Sequence, residues 1–275
     1  MRSRTGTCVR RSAGVLVLLC LSAAPARAQL QPRSLSDPAT GERYRIEASG
    51  AFWNPTPDII VRSQSLGIPG DEVNGVTDLG IVKQRVNEFR LVLRPGLKHK
   101  FRLDRIPVHY EATAVVPRTF IFNGQAFTIG LPVQTNFDWT TTRIAYEYDF
   151  VYKDRGFAGV ILDAKATDVQ VELTAPFVGV EFVRARAPIP SLGGIGRVYV
   201  VPNISVTFEL NGIRIPEFKD YRFKYVDFDL YGTVNFNNYV GAQLGYRSLD
   251  VFYKVKEDEG TLTLKGLYFG GVVRY

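Results

Sequence analysis

The sequence predicts an all-β chain that closes into a transmembrane antiparallel up-and-down β-barrel of about ten strands, with eight and twelve as open alternatives. Three observations predict it. From Tyr44 onward apolar and polar side chains alternate with a period of two, as in half-buried strands. No stretch after residue 28 has the roughly 18 to 20 apolar residues that a membrane helix needs, so any crossing must be made by strands. The connections alternate between short and long, so one end of the hairpin array is tight and the other elaborated.

The first 28 residues form an element of their own. Arg10 and Arg11 close a charged stretch, Ala13 to Ala24 is apolar, and Ala26-Arg27-Ala28 supplies a small-residue cleavage site before Gln29. This three-part layout predicts a secretory signal peptide, cleaved after Ala28. Leu18-Leu19 before Cys20 lacks the small residue that usually precedes a lipid-anchoring cysteine. Both cysteines, Cys8 and Cys20, fall in this segment, so the exported chain has no thiol, disulfide or cysteine-based metal site. The formal charge of +7 is local too. The segment carries five arginines and no acid, and residues 29–275 hold 29 bases against 27 acids. That balance excludes a nucleic-acid binder.

Residues 29–43 read as a loose polar periplasmic lead, and 44–275 as the barrel. The alternation places strands at about 44–53, 85–94, 100–115, 139–152, 157–167, 176–187, 197–210, 221–236, 239–252 and 262–275. Asp227 to Phe236 is the clearest case, with Phe228, Leu230, Val234 and Phe236 opposite Asp227, Asp229, Tyr231, Thr233 and Asn235. Ile144, Tyr146, Tyr148, Phe150 and Tyr152 share another apolar face. Tight turns are expected at 94–98, 153–156, 191–196 and 237–238. Longer connections fall at 54–84, 116–138, 168–175, 211–220 and 253–261, the first with enough apolar content to hide a hairpin. Pro107 marks an expected register shift.

The chain ends Gly266-Leu267-Tyr268-Phe269-Gly270-Gly271-Val272-Val273-Arg274-Tyr275, with Leu267, Phe269, Gly271, Val273 and Tyr275 on one face. A last strand that finishes on an aromatic residue, apolar at alternate positions upstream, resembles the C-terminal signature of bacterial outer-membrane β-barrels. The resemblance implies a cell outer membrane location, contact with outer-membrane lipid, and recognition of the Tyr275 strand by the barrel-assembly machinery. A soluble β-sandwich or lipocalin-like barrel has the same period. The terminus, and polar faces rich in Tyr, Thr, Asn and Gly, favour the membrane barrel.

The polar faces then line the lumen, and the candidate residues are Glu88, Arg90, Arg94, His109, Glu111, Arg143, Glu147, Asp149, Asp163, Lys165, Glu181, Asp227, Asp229 and Arg247. Ten strands leave little interior beyond side chains, since generous aqueous channels appear near 16 to 18 strands. The first functional expectation is therefore a non-catalytic structural or surface-interaction protein whose outer loops 54–84 and 116–138 meet a surface ligand. The alternative is a narrow channel for ions or a small solute. A hydrolase using His109 and Glu111 ranks third, because a base without a placed nucleophile is not a catalytic set. The omptin proteases pair acids with a histidine near the outer rim, and His99 sits at the opposite end. No cofactor is expected. Glu257-Asp258-Glu259 is a solvated loop run, not a metal site.

Overall fold

The computed structural model describes residues 37–65, 67–218 and 221–275. The expected signal peptide and residues 29–36 of the lead lie outside the described residues. Ten antiparallel strands form a closed ring: β1 (Ile46–Trp53), β4 (Val86–Gly96), β5 (His99–Val115), β8 (Pro132–Lys153), β9 (Gly156–Ala175), β10 (Gly179–Val201), β11 (Ile204–Phe218), β12 (Tyr221–Asn235), β13 (Val240–Val255) and β14 (Asp258–Arg274). β14 pairs back onto β1 from Glu47↔Arg274 to Trp53↔Tyr268 and closes the sheet. The long connection after β1 does hold extra strands. β2 (Thr56–Arg62) continues along β14 above β1, and β3 (Val73–Asn74) pairs with β2. A separate hairpin, β6 (Phe120–Phe122) and β7 (Gln125–Phe127), lies between β5 and β8.

Along the longer strands the outward face changes character. At the end that carries both termini it is apolar: Phe101 and Leu103 on β5, Ile144 to Phe150 on β8, Val160 and Leu162 on β9, Phe208 on β11, Phe269 on β14. Four outward positions span about 20 Å along a strand, or about 15 Å of height at a tilt near 40°, which fits within the roughly 25 Å apolar band of a membrane barrel. Beyond it the outward face turns polar, with Arg105, His109, Glu111, Asp138, Lys224 and Lys265. The interior inverts in step. It is charged at belt level and apolar above, where Val108, Tyr110, Phe137, Trp139, Leu173, Leu249 and Leu264 fill the ring. One alternation thus serves two solvents.

Several expectations change. The glycine run 191–196 is not a turn but the middle of β10. A Cβ on Gly193 would come within 2.0 Å of Asn211 Oδ1 and 2.4 Å of the Leu210 carbonyl, so these glycines permit close approach inside the wall. The turn falls instead at Pro202-Asn203. The stretch 168–175 and most of 211–220 and 253–261 continue the strands. Pro107 pairs with Thr140 with no shift between β5 and β8, because β4 already ends its pairing at Arg105 and asks no N–H of it. A bulge occurs instead at Asp149/Val151. It turns Tyr152 inward, under the Arg94 guanidinium at 4.6 Å.

The polar lead is not loose where it is described. Thr40, Glu42 and Tyr44 are buried in the terminal mouth of the barrel. Glu42 sits between Arg94 at 3.6 Å and Arg197 at 3.3 Å, and accepts from the Tyr199 hydroxyl at 2.9 Å. Gly41, at φ +79°, makes the bend that a side chain would block, since its Cβ would lie 2.7 Å from Arg274.

Candidate functional site: a charge-filled lumen

Alternation places Lys100, Arg102 and Asp104 of β5 on the inner face, opposite Arg143 and Glu147 of β8 and Asp163 and Lys165 of β9. Glu209 reaches them from β11 across the ring, and Arg90, Asp227, Asp229 and Arg247 complete the layer. The pairs form two groups, a large one around Arg143, Arg102 and Arg90 and a smaller one around Arg247. Arg143 holds Asp104 at 3.0 Å, Asp163 at 2.8 Å and Glu209 at 2.7 Å. Arg102 joins Glu209 at 2.9 Å to Glu147 at 2.6 Å, and Lys100 joins Glu147 at 2.7 Å to Asp149 at 2.8 Å. Arg90 bridges Asp104 at 3.0 Å and Asp229 at 3.2 Å, and Arg247 bridges Asp227 at 2.6 Å and Glu88 at 3.1 Å.

Taking charges from water is costly, and mutual attraction offsets that cost only when geometry is good and the remaining hydrogen-bonding positions are filled. Here Ser191 shares Asp163 with Lys165, Tyr268 donates to Asp229 at 2.8 Å, and Asn211 donates to Glu209 at 2.8 Å. At this level the inward charged side chains are buried. A cavity of about 20 Å³ lined by Glu88, Arg90, Asp104 and Arg247 has room for about one water.

Above the charges the apolar layer is sealed by the connections themselves. Phe120, Phe122 and Phe127 of the β6–β7 hairpin and Leu79 and Ile81 of the β3–β4 connection are buried in the same core as Trp139 and Tyr110. Arg118 clamps the two pieces by donating to both Asp78 oxygens, at 3.1 and 2.7 Å, and to the Glu72 carbonyl. Burial alone raises the Asp78 pKa, but these donors outweigh it and hold the carboxyl below its ordinary value. Parts of connections 54–84 and 116–138, expected as outer loops, pack into the upper interior, while β2 and residues 132–138 of β8 extend the wall.

Of the sequence-predicted lumen residues, Glu88, Arg90, Arg143, Glu147, Asp149, Asp163, Lys165, Asp227, Asp229 and Arg247 meet in this layer, and Arg94 lies at the terminal mouth. Glu181 is on the inner face at the far end, where Asn123 donates to it at 3.0 Å. His109 and Glu111 require correction. They point outward, with side chains 51% and 67% exposed. Polarity alone assigned them inward, and above the belt the polar face is the outer one. His109 Nδ1 lies 2.7 Å from Asp138 and Nε2 3.1 Å from Glu111. Both ring nitrogens face carboxylates. The hydrogen bond to Asp138, more than that to Glu111, raises the His109 pKa. His99 lies at the β4–β5 turn against the rings of Tyr146 and Tyr148. Sequence reasoning missed Lys100, Arg102, Asp104 and Glu209, though their alternation with Phe101, Leu103, Phe208 and Leu210 carries the same signal.

No family model and no curated protein matches the chain. Among solved structures it is similar to the outer membrane protease OmpT from Escherichia coli, with a TM-score of 0.55 at 8% identity over 88% of this chain and 100% of that one. Ail, the attachment invasion locus protein of Yersinia pestis, gives 0.38 at 7% identity, over 84% of this chain and 99% of that one. The Pseudomonas putida toluene transporter TodX gives 0.36 at 8% identity, over 87% and 92%. The first shows the fold, that of an outer-membrane β-barrel. The other two are too distant to add to it.

Proposed function

We propose that the chain is a bacterial outer-membrane barrel that is closed to solutes, does no catalysis, and acts as a structural or surface-interaction protein. The observation that carries this reading is the lumen, filled by paired charges at belt level and by an apolar core above. It argues against the narrow channel. Val82 and Ile129 of the long connections stay exposed, and so does the β9–β10 tip. Phe177, Val180 and Phe182 are exposed there, and Phe177 stands free at φ +68°, a left-handed conformation that a bulky residue rarely takes. At the opposite rim Tyr275 is exposed next to the β1–β14 seam, accessible to the assembly machinery that the terminal strand resembles a signal for.

The test is release of small sugars from vesicles into which the mature protein has been inserted, with folding confirmed by the mobility difference between boiled and unboiled samples. Retention of all sugars supports the reading. Release that stops above a size limit would restore the channel alternative.

A further inference from the structure

The terminal rim carries an unbalanced cationic groove. Arg43 and Arg45 flank Tyr44, whose buried ring lies 5.4 Å from the Arg94 guanidinium and 5.8 Å from that of Arg274. The bend of this strap, residues 40–45 of the lead, turns the two neighbouring arginines out to solvent. The acids nearest in sequence are spent elsewhere, Glu42 on Arg94 and Arg197 and Glu47 on Arg274 at 2.5 Å. The guanidinium groups of Arg43 and Arg45 have no side-chain partner among the described residues. The Tyr275 carbonyl accepts from the backbone N–H groups of Arg45 and Ile46.

The groove between strap and β4–β5 turn has a volume of about 660 Å³. Its other wall carries Leu97 and Tyr275, 67% and 82% exposed, and the neighbouring Ile46 and Leu93 are exposed on the outward face. Unpaired guanidiniums at the edge of an apolar belt match a molecule with a phosphate at one end and hydrocarbon at the other. We propose that this groove binds the headgroup of an anionic phospholipid in the leaflet at the terminal rim, with Arg43 and Arg45 on the phosphate and Leu97 and Tyr275 against the upper acyl chains. The site rests on the outer-membrane reading of the barrel.

The test measures lipid carried by the mature protein in mass spectra taken from micelles doped with phosphatidylglycerol or phosphatidylcholine. The wild type is expected to retain phosphatidylglycerol preferentially. Arg43→Gln with Arg45→Gln should weaken retention about 10- to 30-fold, from about 1 kcal/mol per base near a lipid surface. Arg214→Gln with Arg222→Gln, the same charge removed at the far end, should leave it unchanged. Equal retention of both lipids, equal loss in the two double variants, or displacement by equimolar inorganic phosphate would overturn the site. A wild type that inserts into vesicles yet shows no lipid preference refutes the site alone, whereas one that never inserts refutes the membrane reading with it.

Discussion

Replacing Arg143 by methionine tests whether the charged layer is dry. The guanidinium is buried and holds three carboxylates, Asp104, Asp163 and Glu209, at 3.0, 2.8 and 2.7 Å. Breaking a buried pair by removing one partner costs about 3 to 5 kcal/mol, because the other charge stays behind uncompensated. Each of these acids keeps a second base: Arg90 for Asp104, Lys165 for Asp163, Arg102 for Glu209. The expected loss therefore sits near the lower end, about 3 kcal/mol. Urea unfolding of the vesicle-inserted protein reads it through Trp53 and Trp139, both buried. Adding Glu209→Gln removes one of the stranded charges and should return about 1 kcal/mol or more, a coupling that a double-mutant cycle isolates. A loss under about 1 kcal/mol, the size of an exposed pair, would mean that water reaches and screens the layer, and that the lumen is not filled.

Three further outcomes rest on local geometry. Gly193→Val drives a side chain into Asn211 and the Leu210 carbonyl and should cost about 1 to 3 kcal/mol in the same unfolding assay; a neutral result would restore the turn expected at 191–196. Arg118→Ala removes the clamp on Asp78 and Glu72, so amides of residues 71–85 should exchange with deuterium faster while the β8–β9 wall is unchanged. His109, with its pKa raised by Asp138 and then Glu111, should titrate above its ordinary value by NMR, and Asp138→Asn should bring it down. Because the folded pKa is the higher one, its contribution is present below about pH 6.5 and lost as pH rises through the folded value. With both partners half exposed that contribution is about 0 to 1 kcal/mol.

The period-two pattern was enough to show the ring, its seam strand and most of its tight turns, since alternation is a local property that each strand carries by itself. Its limit is sign. Whether the polar face of a strand points in or out depends on what surrounds it, and on β5 the surroundings change between Leu103 and Arg105. Lys100, Arg102 and Asp104 are therefore inside while His109 and Glu111, equally polar, are outside. Composition misplaces a hairpin where glycine serves packing. Gly193-Gly194-Ile195-Gly196 has a turn's composition, yet it makes room in the wall for Asn211 and its neighbours. The partners of Glu209 and Glu42 come from strands far away in sequence, and only the closed ring brings them together. The packing of the β6–β7 hairpin was hidden for the same reason: Phe120, Phe122 and Phe127 read as loop residues until the apolar upper interior gives them a place to be buried.

The most direct measurement of a filled lumen uses the absence of cysteine after residue 28. Single cysteines at Thr141, Thr207 and Thr233, inward positions that are 2%, 0% and 0% exposed, are compared with one at the exposed outward Thr113 in the folded, vesicle-inserted protein. A small water-soluble thiol reagent should label position 113 at once and the three inner positions only after unfolding. Labelling of the inner positions at the rate of position 113, with the barrel still folded, would show a water-filled path and contradict a filled lumen.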